Sequence, residues 1–146
     1  MNIYIGADHA GFKLKESMKE YLRSIHVLYT DLGNTKYEAH DDYPVFAMKV
    51  AKAAAKGKTF GILFCGSAQG MSIAANKIRG VRAVAVNSVE DAKFTRLHND
   101  ANVLCLSGWN TNKELAKKLI KTFLTTKFSN VKRHKRRVEM IKRLEK

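Results

Sequence analysis

Cys65 ends an apolar run, Thr59 to Cys65, and is followed by Gly66-Ser67-Ala68-Gln69-Gly70. Two glycines in such a turn let successive backbone N–H groups point at one spot ahead of a helix, a nest suited to an anion. A cysteine beside it would have its thiol pKa lowered from about 8.5, making a thiolate available. The plainer readings are a tight structural turn and a buried core thiol, the state of most free cysteines. No Gly-Lys-Ser/Thr and no Gly-x-Gly-x-x-Gly occurs here, which sets aside the commonest nucleotide loops. Asp8-His9, after Asn2 to Gly6, could hold a sugar hydroxyl and a phosphate oxygen, or simply cap a turn. Cys105, inside Val103-Leu104-Cys105-Leu106, reads as core.

These residues need a scaffold, and the hydrophobic pattern supplies one. Short β-branched runs alternate with segments whose apolar residues recur every three to four positions, the pattern of an α/β fold. The expected strands are Asn2 to Gly6, His26 to Leu32, Thr59 to Cys65, Val81 to Val86 and Asn102 to Ser107. Their near-continuous apolar character predicts a five-stranded parallel sheet covered on both faces. Helices are expected along Leu14, Met18, Tyr21 and Leu22, along Phe46, Val50, Ala53 and Ala54, and over about 70–77. Another opens at the Ser88/Asp91 cap, and one follows Leu115, Leu119 and Phe123. In such a sheet ligands bind outside the carboxyl ends of the strands, where the loops after strands one, two (Asp41-Asp42-Tyr43-Pro44) and three converge.

His98 lies in Arg96-Leu97-His98-Asn99-Asp100, just before the last strand and so at the edge of the sheet away from Cys65. A strand of this length spans about 17 Å, so a site using both side chains must be completed by a second subunit. Otherwise His98 caps its helix.

The chain of 146 residues is one domain by size. Its two cysteines and the want of a leader segment suit a reducing cytoplasm, and no apolar stretch reaches the roughly 20 residues a membrane span needs. The net charge is +14, and half of it comes from residues 127–146. That end reads as a basic helix of about 130–146, either a solvated face docked loosely on the body or a nucleic-acid patch. The lack of base-stacking aromatics between Ser129 and Lys146, and of any recognised motif, argues against nucleic acid.

Taken together, Gly6-Ala7-Asp8-His9-Ala10-Gly11-Phe12-Lys13-Leu14-Lys15, Asp42-Tyr43-Pro44, Cys65-Gly66-Ser67 through Gly70-Met71-Ser72-Ile73-Ala74-Ala75-Asn76-Lys77, Gly80-Val81-Arg82-Ala83, His98 to Leu104 and Arg133-His134-x-x-Arg137 resemble the type B ribose-5-phosphate isomerases, a family that includes galactose-6-phosphate isomerase subunits. The resemblance covers nearly the whole chain in order. It implies a Rossmann-like three-layer sandwich whose C-terminal helix extends to a partner subunit. It also implies an aldose-ketose isomerase that uses no cofactor and no metal ion and works as a homodimer or tetramer with shared active sites. By the same resemblance Cys65 is the base and His98 the ring-opening acid. Asp8, His9, Tyr43, Asn99 and the loop Gly66, Ser67, Ala68, Gln69 and Gly70 bind substrate, and Arg133 and Arg137 hold its phosphate. Some members carry a Glu where this chain has Met71, which leaves Cys65 as the base.

Two departures stand out. The family loop commonly reads Cys-Gly-Thr-Gly-x-Gly, whereas Ala68 here resists a positive φ. Where the family usually places an Arg for the phosphate, this chain has Gly108-Trp109-Asn110, so Lys132, Lys135 or Arg136 would have to compensate, or Trp109 reshapes the pocket. The expected reaction is the interconversion of ribose 5-phosphate and ribulose 5-phosphate. A six-carbon aldose 6-phosphate (allose or galactose 6-phosphate) and a non-catalytic sugar-phosphate-binding subunit are the alternatives.

Overall fold

Alternate residues of the apolar runs face opposite ways, and a sheet buried on both sides uses both sets. In a computed structural model describing residues 2–145, the strands β1 (Asn2–Ala7), β2 (Tyr29–Asp31), β3 (Thr59–Cys65), β4 (Ala83–Ala85) and β5 (Val103–Ser107) form one sheet in the order β2-β1-β3-β5-β4. All neighbouring pairs are parallel. Ile3, Ile5, Ile62, Phe64, Leu104 and Leu106 pack under α1 (His9–Ser24), α4 (Val89–Asn99) and α5 (Lys113–Thr125). Leu63, Cys65, Val103 and Cys105 face α2 (Tyr43–Ala54) and α3 (Gln69–Ala75) on the other side. The result is the three-layer, Rossmann-like arrangement. No described helix is long and apolar enough to cross a membrane.

The three inner strands follow the hydrophobic pattern closely, whereas the two edge strands are shorter than expected. His26 takes a left-handed conformation (φ 56°), and the Val27 N–H donates to Leu22 O at 2.9 Å, so the chain is still leaving α1 where a strand was expected. Leu28 is 85% exposed, and only Tyr29–Asp31 pairs with β1. The predicted strand over Val81 to Val86 narrows to Ala83–Ala85, with Asn76 filling its outer hydrogen-bonding edge by donating to Ala83 O and accepting from Ala83 N.

Close approach of α1 to the sheet depends on Gly11. A Cβ there would lie 2.2 Å from the carbonyl oxygen of Phe64, so only hydrogen fits. This contact brings the N-terminus of α1, with Asp8 and His9, against the end of β3. The last helix, α6 (Lys132–Arg143), lies on α4 of its own chain through the buried residues His134 and Val138, with Arg133 and Arg137 exposed.

Candidate active site

The carboxyl ends of β1, β3 and β5 meet in register, Ala7 beside Phe64 and Cys65 beside Ser107. The chain then turns outward: Asp8 N–H donates to Phe64 O at 3.2 Å and Gly108 N–H to Cys65 O at 2.8 Å. Cys65 sits beneath the loop 66–70, its thiol facing the backbone N–H groups of Met71, Ala68 and Ser67. Ala68 does adopt the left-handed conformation (φ 69°) needed to aim them, against the expectation that an alanine would resist it. That geometry carries a strain of roughly 1–2 kcal/mol.

The thiol departs from expectation in the other direction. Burial pushes its pKa above the ordinary value, the nearby Asp8 carboxylate adds to this, and the three N–H groups offset only part. The loop that supplies the donors also closes over the sulfur and removes its water. Cys105 is fully buried, as expected, and its thiol is pushed up strongly by desolvation.

Asp8 is buried and caps α1, its Oδ1 accepting from Gly11 N–H at 2.9 Å, and burial raises its pKa. His9 is oriented by a residue that the sequence pattern did not single out: Asp41 Oδ1 accepts from the His9 backbone N–H at 2.8 Å and stands 2.9 Å from Nδ1. Asn34 Nδ2 donates to the other oxygen of the same carboxylate. A carboxylate accepts only, so it sets the proton on Nδ1 and leaves Nε2 available, and the bond raises the His9 pKa. Tyr43 and Trp109 flank the nest. A Cβ on Gly70 would meet the Tyr43 ring at 2.7 Å, and one on Gly66 would meet the Trp109 ring at 2.5 Å. Ser67 and Gln69 are exposed at the lip.

The remaining predicted residues form a second cluster. His98 stacks on Phe94 (centroids 4.9 Å apart, planes 11° apart) and touches His134 (4.5 Å), whose Nδ1 lies 2.7 Å from Ser129 Oγ. Burial lowers the His134 pKa, and Arg133, His98 and Arg137 act in the same direction. Asp100, left-handed at φ 48°, closes α4, and its carboxylate takes Arg82 at 3.0 Å and Arg96 at 2.8 Å. Arg82 also donates to the backbone oxygens of Asn99 (3.1 Å) and Asp100 (2.9 Å), clamping the turn that carries His98 and Asn99. This cluster stands where β5 begins and Cys65 where it ends, so the length of the strand, about 17 Å, separates them.

A model of the family described as Ribose/Galactose Isomerase matches residues 3–141. The chain belongs to this isomerase family. Relatives within it include a probable ribose-5-phosphate isomerase B of Mycoplasma genitalium, 42% identical over 147 residues, which span 99% of this chain and 96% of that protein. The ribose-5-phosphate isomerase B of Mycobacterium tuberculosis is 37% identical over 142 residues, 97% of this chain and 88% of that one. Among solved structures, the Mycoplasma genitalium ribose-5-phosphate isomerase B with bound ribulose-5-phosphate superposes with a TM-score of 0.94 at 41% identity, covering 99% of this chain and 95% of that one. The Clostridium thermocellum enzyme of the same name gives a TM-score of 0.94 at 38% identity, over 99% and 97%.

Within this ribose/galactose isomerase frame the structure divides the predicted site residues into two groups. Asp8, His9, Tyr43 and the loop from Cys65 to Gly70 gather at the carboxyl end of the sheet. His98 and Asn99 stand at the far end, with Arg133 and Arg137 on the helix packed there. Asp41, Ser107 and Arg82 complete the supports: Ser107 Oγ donates to Gly66 O at 2.6 Å and holds the start of the nest. The only sequence signal for Asp41 was its place in a loop after β2.

Proposed function

We propose that the chain interconverts ribose 5-phosphate and ribulose 5-phosphate, as the names of its relatives describe for them, through an enediolate. In this reading the Cys65 thiolate takes the proton from C2 of the open-chain aldose. The C2–H electron pair forms the C1–C2 double bond, and the carbonyl pair moves to the oxygen on C1. Movement of the hydroxyl proton on O2 to O1, with return of the carbon-bound proton from Cys65 to C1, yields the ketose. The exchange is redox-neutral overall, so no oxidant or reductant is consumed. Negative charge developing on oxygen is met by the N–H groups of the loop, and preorganised donors of this kind are worth several kcal/mol in a site closed to water.

The observation that carries the reading is the Cys65 thiol under three backbone N–H groups at the mouth of the sheet, beside Asp8. His98 protonates the ring oxygen of the furanose during opening. Because it lies at the other end of its own sheet, the acid at each site comes from a second copy, together with Asn99 and the phosphate ligands Arg133 and Arg137. The exposed outer face of α6, carrying both arginines one turn apart, presents that contribution to the partner. Both cysteines are free, which supports a reducing, cytoplasmic setting, and residues 1–146 act as one domain.

Assay of purified protein with ribose 5-phosphate, allose 6-phosphate and galactose 6-phosphate, EDTA present, tests the reading. Turnover of the pentose, with Cys65→Ala slower by about 10² to 10⁴, is the expected result. Full activity in Cys65→Ala would remove the thiolate base, and turnover of a hexose phosphate alone would reassign the substrate. Arg137→Ala should raise KM with little change in kcat, as loss of a contact made equally in ground and transition states does.

A further inference from the structure

Trp109 is the only tryptophan of the chain and is 73% exposed, although it stands in the turn after β5, beside the nest, and not on an outer helix face. Its turn is held firmly. Trp109 N–H donates to Gly66 O at 3.2 Å, Ser107 Oγ donates to the same oxygen at 2.6 Å, and the Asn110 N–H donates to Ser107 Oγ at 3.0 Å. The six-membered edge of the indole lies against Gly66, the first residue of the anion nest. Tyr43 stands against Gly70, the last residue, and is 40% exposed. The nest over Cys65 is therefore bordered by two aromatic rings, the larger of them fixed at its base and bare on its outer surface.

We propose that Trp109 is a substrate-contacting residue that sets specificity: its bare face receives the C–H face of the sugar while the nest and the charged groups take its oxygens. An indole carries no charge and only one N–H donor, so it is unsuited to replacing a phosphate ligand. It offers a wide apolar surface with little conformational entropy to lose, the kind of wall that small-molecule sites combine with a few convergent polar groups. A sugar phosphate has both faces to offer, hydroxyls at its rim and C–H groups on its flat sides. Ligand binding would cover an aromatic surface that the chain itself leaves in water.

This inference rests on the proposed isomerase reading, and the experiment separates the two. Wild-type protein, Trp109→Ala and Trp109→Phe are compared in steady-state turnover of ribose 5-phosphate, and wild-type fluorescence is followed as ribose 5-phosphate is added. The expected result is a KM raised about tenfold in Trp109→Ala and restored to within about threefold by Trp109→Phe, which keeps a flat apolar ring. The indole emission, which reports this one residue, changes and saturates over the wild-type KM range. An unchanged KM in Trp109→Ala, or emission that follows protein concentration and ignores the sugar phosphate, overturns the inference and assigns the ring to contact between copies. Absence of wild-type turnover would instead defeat the isomerase reading. Should Trp109→Ala fail to fold, the wild-type emission titration decides alone.

Discussion

At the scale of single residues, proton affinities at the mouth of the sheet are set by neighbours distant in sequence. His9 receives two interactions from one oxygen of Asp41, 32 positions away, and the imidazolium is thereby favoured. Asp41→Asn removes that charge, so the His9 pKa should fall toward the ordinary value, as proton NMR titration of the ring would show; an unchanged value would mean that Asp41 does not govern it. Cys65 behaves oppositely. Because burial holds its thiol above the ordinary range, the thiolate fraction keeps growing with pH, and kcat/KM should still be rising above about pH 8.5. A profile level from pH 7 upward would contradict this. The position of Cys65 was legible from a strand end followed by glycines. Its proton affinity was not, since it depends on how tightly residues 66–71 close over the sulfur and on Asp8 next to it.

At the scale of elements, the contact between α1 and β3 aligns Asp8 with Cys65. Gly11→Ala would drive a methyl group into the Phe64 backbone, and overpacking of this kind costs about 3 kcal/mol, measurable as a lowered denaturant midpoint. A second tie joins α1 to edge strand β2. Lys15, fully buried, donates to Asp31 at 2.7 Å and to Asn34 O at 2.6 Å, and Lys19 reaches the same carboxylate at 3.0 Å. Burial opposes the charge on Asp31, but the two lysines and Gly33 N–H outweigh it, so the folded-state pKa is depressed. A depressed carboxylate contributes stability that is complete above its unfolded value near 3.9 and is lost as pH falls through the folded one. Urea unfolding should therefore show an acid limb below pH 4. Lys15→Ala should lower stability by about 3 kcal/mol at neutral pH, since it leaves Asp31 short of a buried partner. The central strands β1, β3 and β5 were readable because burial on both faces writes continuous apolar runs. Edge strand β2 is shorter than its apolar run because the chain is left-handed at His26 and Leu28, though apolar, lies exposed without pairing. Periodicity gave no sign that Lys15 would be buried.

At the scale of the molecule, one chain places two clusters at opposite ends of its sheet, which the proposed reading makes two halves of a site: a thiol, nest and imidazole at one end, and His98, Asn99 and two exposed arginines at the other. This separation was legible from chain direction alone, because a residue that enters a parallel strand and one that leaves its neighbour must stand at opposite edges. The supports of the second cluster, His134 with Ser129 and Arg82 with Asp100, were not, since they arise from α6 packing on α4 and from Arg82, just before β4, reaching the turn that ends α4. In the proposed reading two copies join these clusters, and the high positive charge favours a phosphorylated substrate between them. The direct test mixes Cys65→Ala and His98→Asn, each inactive by itself, under conditions where hybrid assemblies are isolated and counted. In a hybrid one site receives both altered residues and the other receives neither, so an equal, freely exchanged mixture should recover about a quarter of wild-type activity. Isolated hybrids no more active than the two variants alone would contradict the shared site.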